Sequence, residues 1–394
     1  MVIRSRPDGQ NDVLIVAYYF PPQNASGAQR PYRFYKYLPE FGYSPVVVCG
    51  SDKPVESAGA EKIIWLAERM AGVLRFQLRW LPSAVREAEQ VIRTNPIRCV
   101  VSTFPPLATH LLGAYLQRKY KIKWIADFRD PLFNPQEVAI IRTIGGWAEP
   151  RIVKRADAIV TNTQDSLESY RALYPEAAGK MSVLWNGYDP EEPALPVSCP
   201  KRPHRLMAHV GDIYGFRNPG LLVSSISRLL AGGRLKKDGL RVQLVGPLED
   251  LPPDCQQHIE KLEAEGVIEA NRKLVPKAEA NRVAAAADYL LLLDVTGRQK
   301  SIQLPAKLFD YVRIGKPILA FTTQGSPSEW VLSLSGIPHV CVYLDDAAET
   351  VDEKLTRFLQ FAPVPMPHSG EFARIFDGKL QTGILSELIR SVVA

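Results

Sequence analysis

The chain has 394 residues, 46% of them hydrophobic and 23% charged, a balance typical of a soluble globular protein with room for two cores. No apolar run approaches the ~20 residues of a membrane span, and the opening "MVIRSRPDGQND" lacks the apolar core of a secretion signal, so the cytoplasm is the expected compartment. The five cysteines are scattered without a C-x-x-C pair, which argues against a zinc or disulfide framework, and the net charge of +6 is only modestly basic.

Apolar runs of strand length alternate with helical spacing from the start. "DVLIVAYYF" (12–20), "SPVVVCG" (44–50), "IRCVVST" (97–103), "KWIADF" (123–128), "ADAIVTN" (156–162) and "MSVLWNG" (181–187) read as strands buried on both faces of a parallel sheet. Helices fit at 28–41, 106–119 and 165–173. "NGYDPEEPALPVSCPKRPHR" (186–205) is rich in proline and charge, has no period, and reads as a hinge. A second series follows: "RLMAHVG" (205–211), "LRVQLVG" (240–246), "RKLVP" (272–276), "DYLLLLD" (288–294), "KPILAF" (316–321) and "HVCVYL" (339–344), with two helices after the last. The pattern predicts an α/β protein of two Rossmann-like, doubly wound parallel sheets in series, facing each other across a cleft. The expected domains are 1–187 and 188–369, with the C-terminal helical segment 370–394 packing back on the first.

Ligands of such sheets bind beyond the carboxyl ends of the strands, so the loops there carry the chemistry. After the first strand, "PPQNASGAQRPYRF" places Asn24, Ala25, Ser26 and Gly27 before a helix, where small residues let an anion approach backbone N–H groups; a plain strand-to-helix turn fits as well. "WIADFRDPLF" puts Asp127, Arg129 and Asp130 at a strand end, either in use or held in an Arg129–carboxylate pair. His110, near a helix start, reads as a structural histidine. "HVGDIYGFRNP" delivers Arg217 on a loop bearing Gly211 and Gly215, a phosphate grip in form. Val275, before Pro276, offers an apolar ledge for a base. In "LPAKLFDYVRIGKPILAF", Lys307 and Asp310 share one face of a helix's first turn. A cation there suits phosphate and a carboxylate suits ribose hydroxyls, while an ordinary αβ unit with an exposed ion pair is the plainer alternative. Between residues 62 and 123, eleven cations with interleaved Trp65, Phe76 and Trp80 face only three glutamates. This is either a solvated helix face or a surface for an anionic membrane; nucleic acid fits less well.

Taken in order, "VLIVAYYFPP", "SGAQRPYRFYKYLP", "WIADFRDP", "ADAIVTNT", "VLWNGYD", "HVGDIYGFRNP" and "LPAKLFDYVRIGKPILAF" resemble the GT-B glycosyltransferases, and glycosyltransferase family 4 in particular, over nearly the whole chain. The resemblance implies a transferase moving a sugar from a nucleotide diphosphate sugar to a glycan or lipid-linked acceptor. It further implies retention of configuration, no metal or other cofactor, and a setting in surface polysaccharide or lipopolysaccharide synthesis. Asp310 matches the family's ribose-binding acid. Arg217 falls at its basic position after the glycine of "HVG", with Lys307 beside the same phosphate. Val275 matches the base contact, and Gly27 the loop that approaches the donor phosphate. Asp127, Arg129 and Asp130 would orient the acceptor or the transferring sugar. Ile302 replaces the first of two family glutamates and Asp212 a common arginine. These departures motivate a second reading, a catalytically weak scaffold subunit; a nucleotide-sugar epimerase is a third.

Overall fold

The computed structural model describes residues 1–4, 12–22, 26–50, 77–130, 139–193, 202–215, 217–294 and 302–394. The chain divides into two compact units, one of Met1–Pro190 and Asp377–Ala394, the other of Glu191–Phe376.

The first unit contains strands β1 (Val2–Arg4), β2 (Val13–Ala17), β3 (Pro45–Cys49), β4 (Cys99–Phe104), β5 (Lys123–Phe128), β6 (Ala158–Thr161) and β7 (Met181–Val183). They form one sheet in the order β1-β3-β2-β4-β5-β6-β7. All neighbours are parallel except β1, which runs antiparallel to β3 and was not legible in the sequence. The described helices of this unit are α1 (Gln29–Tyr37), α2 (Gln77–Thr94), α3 (Leu107–Tyr120), α4 (Ala139–Arg155) and α5 (Gln164–Leu173). Because side chains alternate along a strand, Leu14, Val16, Val46, Val48, Val100 and Trp124 pack on one face against α2 to α5. Val13, Ile15, Val47, Val101 and Ile125 pack on the other against α1. Burying both faces is why these strands read as unbroken apolar runs.

The second unit contains β8 (Arg205–Val210), β9 (Ile213–Tyr214), β10 (Leu240–Val245), β11 (Leu248–Glu249), β12 (Ile268–Asn271), β13 (Tyr289–Leu293), β14 (Ile318–Thr322) and β15 (His339–Tyr343). Its main sheet is parallel in the order β12-β10-β8-β13-β14-β15, and β9 and β11 form a small ladder of their own. Around it lie α6 (Gly220–Ala231), α7 (Pro253–Ala264), α8 (Lys277–Ala286), α9 (Lys307–Ile314), α10 (Pro327–Ser335), α11 (Ala348–Phe358) and α12 (Gly370–Phe376). The strand expected at 272–276 lies earlier, at β12, where Ile268 pairs with Val242; Leu274 is left exposed in the following loop. Helix α12 belongs to this unit, where Phe372 and Phe376 stack near Phe309. Only the final helix, α13 (Gly378–Val393), returns to the first unit, placing Leu385 and Ile389 in the core beside α1.

Leaving aside the antiparallel edge strand β1, the parallel strands of each sheet start in the middle and reverse direction once. The reversal falls between β2 and β4 in the first unit and between β8 and β13 in the second. Those two points are where a doubly wound sheet opens a crevice for a ligand.

Candidate functional site

In the second unit, strand β8 delivers its ligand-side groups at the reversal point. The chain leaves it at Gly211, whose φ of +104° is open to glycine and rarely to other residues. Its N–H donates to the Val245 carbonyl at 2.7 Å. The backbone therefore calls for glycine here, and a Cβ would lie 2.8 Å from the Lys307 Nζ and push the lysine aside. Beyond Gly211, the pairing of β9 with β11 fixes a turn in which Tyr214 and Arg217 exchange backbone hydrogen bonds of 3.0 and 2.7 Å. That turn lays the Arg217 guanidinium over the Tyr214 ring, 5.3 Å from its centroid. The Arg217 Nε is buried and has no hydrogen-bond partner among the described residues.

Helix α9 arrives from the other side of the sheet's midline. Its residues Lys307 and Tyr311 are one turn apart and share a face. The Tyr311 hydroxyl accepts from the Val210 N–H at 3.1 Å, anchoring the helix on the end of β8. The Lys307 Nζ donates to His209 Nε2 at 3.1 Å, and His209 Nδ1 donates to the Leu291 carbonyl of β13 at 2.9 Å. Burial, and next the Lys307 charge, hold the His209 imidazole neutral, its pKa well below the ordinary histidine range. Burial, and next the Arg217 charge, bring the Lys307 ammonium down to about 7, against the opposing pull of Asp212 and Asp294. Asp294, fully buried at the end of β13, accepts from the Thr322 and Ser328 hydroxyls at 2.9 and 2.7 Å. Asp310 is half-buried on the first turn of α9, and Val275 is half-buried just before α8. The structure thus brings Gly211, Arg217 and Lys307 together at one sheet end, with Asp310 on the same helix turn as Lys307. It adds His209 and Asp294, which the sequence reading missed. A histidine inside the apolar run "LMAHV" was the available signal for the first.

In the first unit, Gly27 sits in a short turn before α1, and a Cβ there would come within 2.5 Å of the Arg129 guanidinium. Arg129 donates from Nε to the Phe104 carbonyl at 2.9 Å and from Nη2 to the Pro105 carbonyl at 3.2 Å. Asp127 has a different partner. Both of its oxygens are taken by Arg30 at 2.9 Å, and the two residues are essentially fully buried. The third arm of Arg30 donates to the Trp185 carbonyl at 3.0 Å. The buried pair Arg30–Asp127, which the sequence reading did not foresee, ties α1 to β5, and the Arg129–carboxylate pairing expected there does not involve an Asp127 ion pair; Arg129 lies against Gly27, and Asp130 is half-buried at the same strand end. His110 is fully buried: its Nδ1 lies 2.8 Å from Ser102 Oγ, which accepts from Trp124 Nε1 at 2.7 Å, its Nε2 has no partner among the described residues, and burial takes the imidazole pKa down to about 3. Asn24, Ala25 and the basic stretch 62–76 lie outside the described residues. Within them, Lys119 and Arg93 both pair with Glu89, and Lys123 with Asp157. No helix among the described residues is long and apolar enough to cross a membrane.

Residues 28–192 match the model of Glycosyltransferase Family 4. No curated protein matches the chain by sequence. Among solved structures, the chain is similar to the sucrose-phosphate synthase of Thermosynechococcus elongatus, at 12% identity and a TM-score of 0.61 over 97% of this chain and 99% of that one. HepE of Anabaena in complex with UDP gives 13% and 0.58 over 96% and 100%. The UDP-forming α,α-trehalose-phosphate synthase of Burkholderia xenovorans, in complex with glucose-6-phosphate, gives 13% and 0.59 over 98% and 100%. At these identities the likeness shows a shared fold, the two-sheet GT-B architecture expected from the sequence.

Proposed function

We propose that this glycosyltransferase takes a nucleotide diphosphate sugar on its second unit and passes the sugar to a hydroxyl of an acceptor bound by the first. The observation that carries the reading is the pair of basic groups at the reversal point of the β8–β13 sheet: Lys307 against Gly211, and Arg217 on the loop that follows Gly211. Departure of the nucleoside diphosphate concentrates negative charge on the leaving phosphate. Arg217, whose buried Nε has no hydrogen-bond partner among the described residues, and Lys307 would stabilise that charge, each on the scale of one preorganised donor. Asp310, on the next position of the same helix face, would bind the ribose, and Val275 the base. Arg129 and Asp130, with the Gly27 turn, would position the acceptor or the transferring sugar. Asp127 would act only through Arg30, since both its oxygens are occupied. With two cations at the phosphate, the reaction we favour is metal-independent and needs no cofactor beyond the donor; retention of configuration goes with the family resemblance.

Thermal unfolding against a panel of nucleoside diphosphates and their sugars tests the donor half. UDP and UDP-glucose head the panel, because HepE was solved with each. A ligand at a hundred times its dissociation constant adds ~2.7 kcal/mol to stability. Stabilisation by one nucleotide, lost in Arg217→Ala and Asp310→Ala, is the expected result; wild-type turnover in Arg217→Ala would defeat the phosphate assignment. EDTA-insensitive transfer tests metal independence. Ile302 and Asp212, at positions where relatives carry donor-site groups, favour the scaffold alternative. That alternative predicts a folded protein with neither donor hydrolysis nor transfer. A lipid-linked acceptor, as in surface polysaccharide synthesis, would bring the basic region 62–123 to an anionic membrane surface. Flotation with phosphatidylserine vesicles that is insensitive to salt and lipid charge would count against that contact.

A further inference from the structure

Arg129 is a cation fixed in place without a counter-charge. The two carbonyls that hold its Nε and Nη2, those of Phe104 and Pro105, orient the guanidinium but do not neutralise it. Among the described residues it forms no ion pair with a carboxylate, and its Nη1 has no acceptor. Asp127, two residues back, has both oxygens on Arg30. The free end of the guanidinium faces the start of α1, since a Cβ on Gly27 would lie 2.5 Å from Nη1 and 2.8 Å from Nη2. Helix α1 begins there with no side-chain cap at Ala28 and no acid in its first turn. Its leading N–H groups and the positive end of its dipole therefore favour an anion. Thr103 adds a third donor. It pairs in register with Asp127, so it lies on the α1 face of the sheet, and its hydroxyl is buried with no partner among the described residues.

We propose that the acceptor carries a phosphate, and that the first unit binds it with Arg129, the Thr103 hydroxyl and the start of α1 behind Gly27. The inference deepens the reading above that this unit holds the acceptor, and it rests on that reading. The three donors come from three elements: the strand end after β5, the end of β4 and the first turn of α1. A phosphate presents oxygens in as many directions, whereas a carboxylate presents two in one plane, so the arrangement suits phosphate. Charge matching assigns that phosphate to the acceptor. The diphosphate of a nucleotide sugar carries two charges, and Arg217 and Lys307 answer both on the second unit. Arg129 is left to answer a third. Gly27 serves the same site, because any side chain there would push the guanidinium away from the helix start.

The test is equilibrium dialysis of the full chain against radiolabelled inorganic phosphate in saturating UDP, which occupies the cations of the second unit. The wild type should bind phosphate over UDP, at close to one per chain. Arg129→Gln should weaken that binding roughly tenfold or more, the loss of one charge-assisted donor. Gly27→Ala should weaken it as well. That variant keeps the arginine and displaces only the end of a flexible side chain, so it folds even if Arg129→Gln does not. Arg217→Ala should leave the phosphate affinity unchanged. No phosphate binding in the wild type overturns the proposal. So does equal binding in the wild type, Arg129→Gln and Gly27→Ala, which would mean an adventitious ion only. Displacement of the phosphate by UDP, with weaker UDP binding in Arg129→Gln, would give the arginine to the donor and overturn it too. Failure of UDP to bind the wild type defeats the donor reading alone. Phosphate binding without UDP, compared between Arg217→Ala and Arg217→Ala/Arg129→Gln, then decides this one.

Discussion

Burying Lys307 costs the fold stability. Its pKa is lowered to about 7, below the ordinary lysine value it would have when unfolded. The unfolded chain therefore binds a proton that the folded chain releases across that window. Below pH ~7 the penalty is fully present, and it fades as pH rises toward ~10.4. Lys307→Met should thus raise the unliganded melting temperature most at acidic to neutral pH, with the gap to wild type closing in alkali. A variant that melts lower than wild type at every pH would show that the lysine stabilises the fold instead. Gly211 allows a sharper test. Gly211→Ala incurs backbone strain of ~1–3 kcal/mol and drives its Cβ into the lysine. Gly233→Ala, at φ +66° with open space around it, carries strain alone. Both should lose stability in urea, Gly211→Ala the more, but only Gly211→Ala should lose nucleotide binding; equal binding by the two would detach Gly211 from the site.

Among the elements, α1 and β5 are joined by one buried ion pair. Arg30→Met would leave Asp127 charged, enclosed and uncompensated, at a cost of ~3–5 kcal/mol. The double variant Arg30→Met/Asp127→Leu should recover most of that loss, since an apolar pair of similar volume needs no desolvated charge. Urea midpoints for the two single variants and the double decide it: additive losses would mean that the residues do not act as a pair. The strands of both sheets were legible because burial on two faces demands continuous apolar sequence, as in "YLLLL" of β13. Two strands were not. β1 is three residues at an antiparallel edge, and β12 has only Ile268 and Ala270 as apolar residues, so the more apolar "KLV" that follows drew the assignment away from it. The same limit governs the site. Lys307 and Asp310 share a helix turn and could be read together from spacing. The bonds from Lys307 to His209 and from Tyr311 to Val210 span 98 and 101 residues, and only the sheet order brings them into contact. Asp127 and Arg30, 97 residues apart, were invisible as partners for the same reason.

On the scale of the whole molecule, the chain leaves the first unit after Pro190 and re-enters it at Asp377, and the two strands of that passage meet. Gly378 N–H donates to the Tyr188 carbonyl at 2.9 Å, Gln381 accepts from the Trp185 N–H at 2.8 Å, and Arg33 reaches Asn186 at 2.6 Å. Lys36 and Tyr37 of α1 both bind Asp189. Helix α13 therefore completes the first unit, although some two hundred residues of the other unit separate it from β7 in sequence. Truncation after Phe376 would expose the core face that Leu385 and Ile389 cover. Loss of these two buried side chains alone removes ~3–6 kcal/mol, a large share of the 5–15 kcal/mol that holds a typical domain. Five of the six tryptophans lie within residues 1–190, so their fluorescence reports on that unit. The truncated chain should lose its tryptophan transition at low denaturant. Gly378→Ala should lower the midpoint less, because its Cβ would crowd Arg33 Cδ and the Tyr188 carbonyl oxygen while leaving the helix in place. The elements proposed to hold the nucleotide belong to the second unit and do not include α13, so donor binding should persist in Gly378→Ala. A truncated chain with a wild-type tryptophan transition would show that the first unit closes its core without the returning helix.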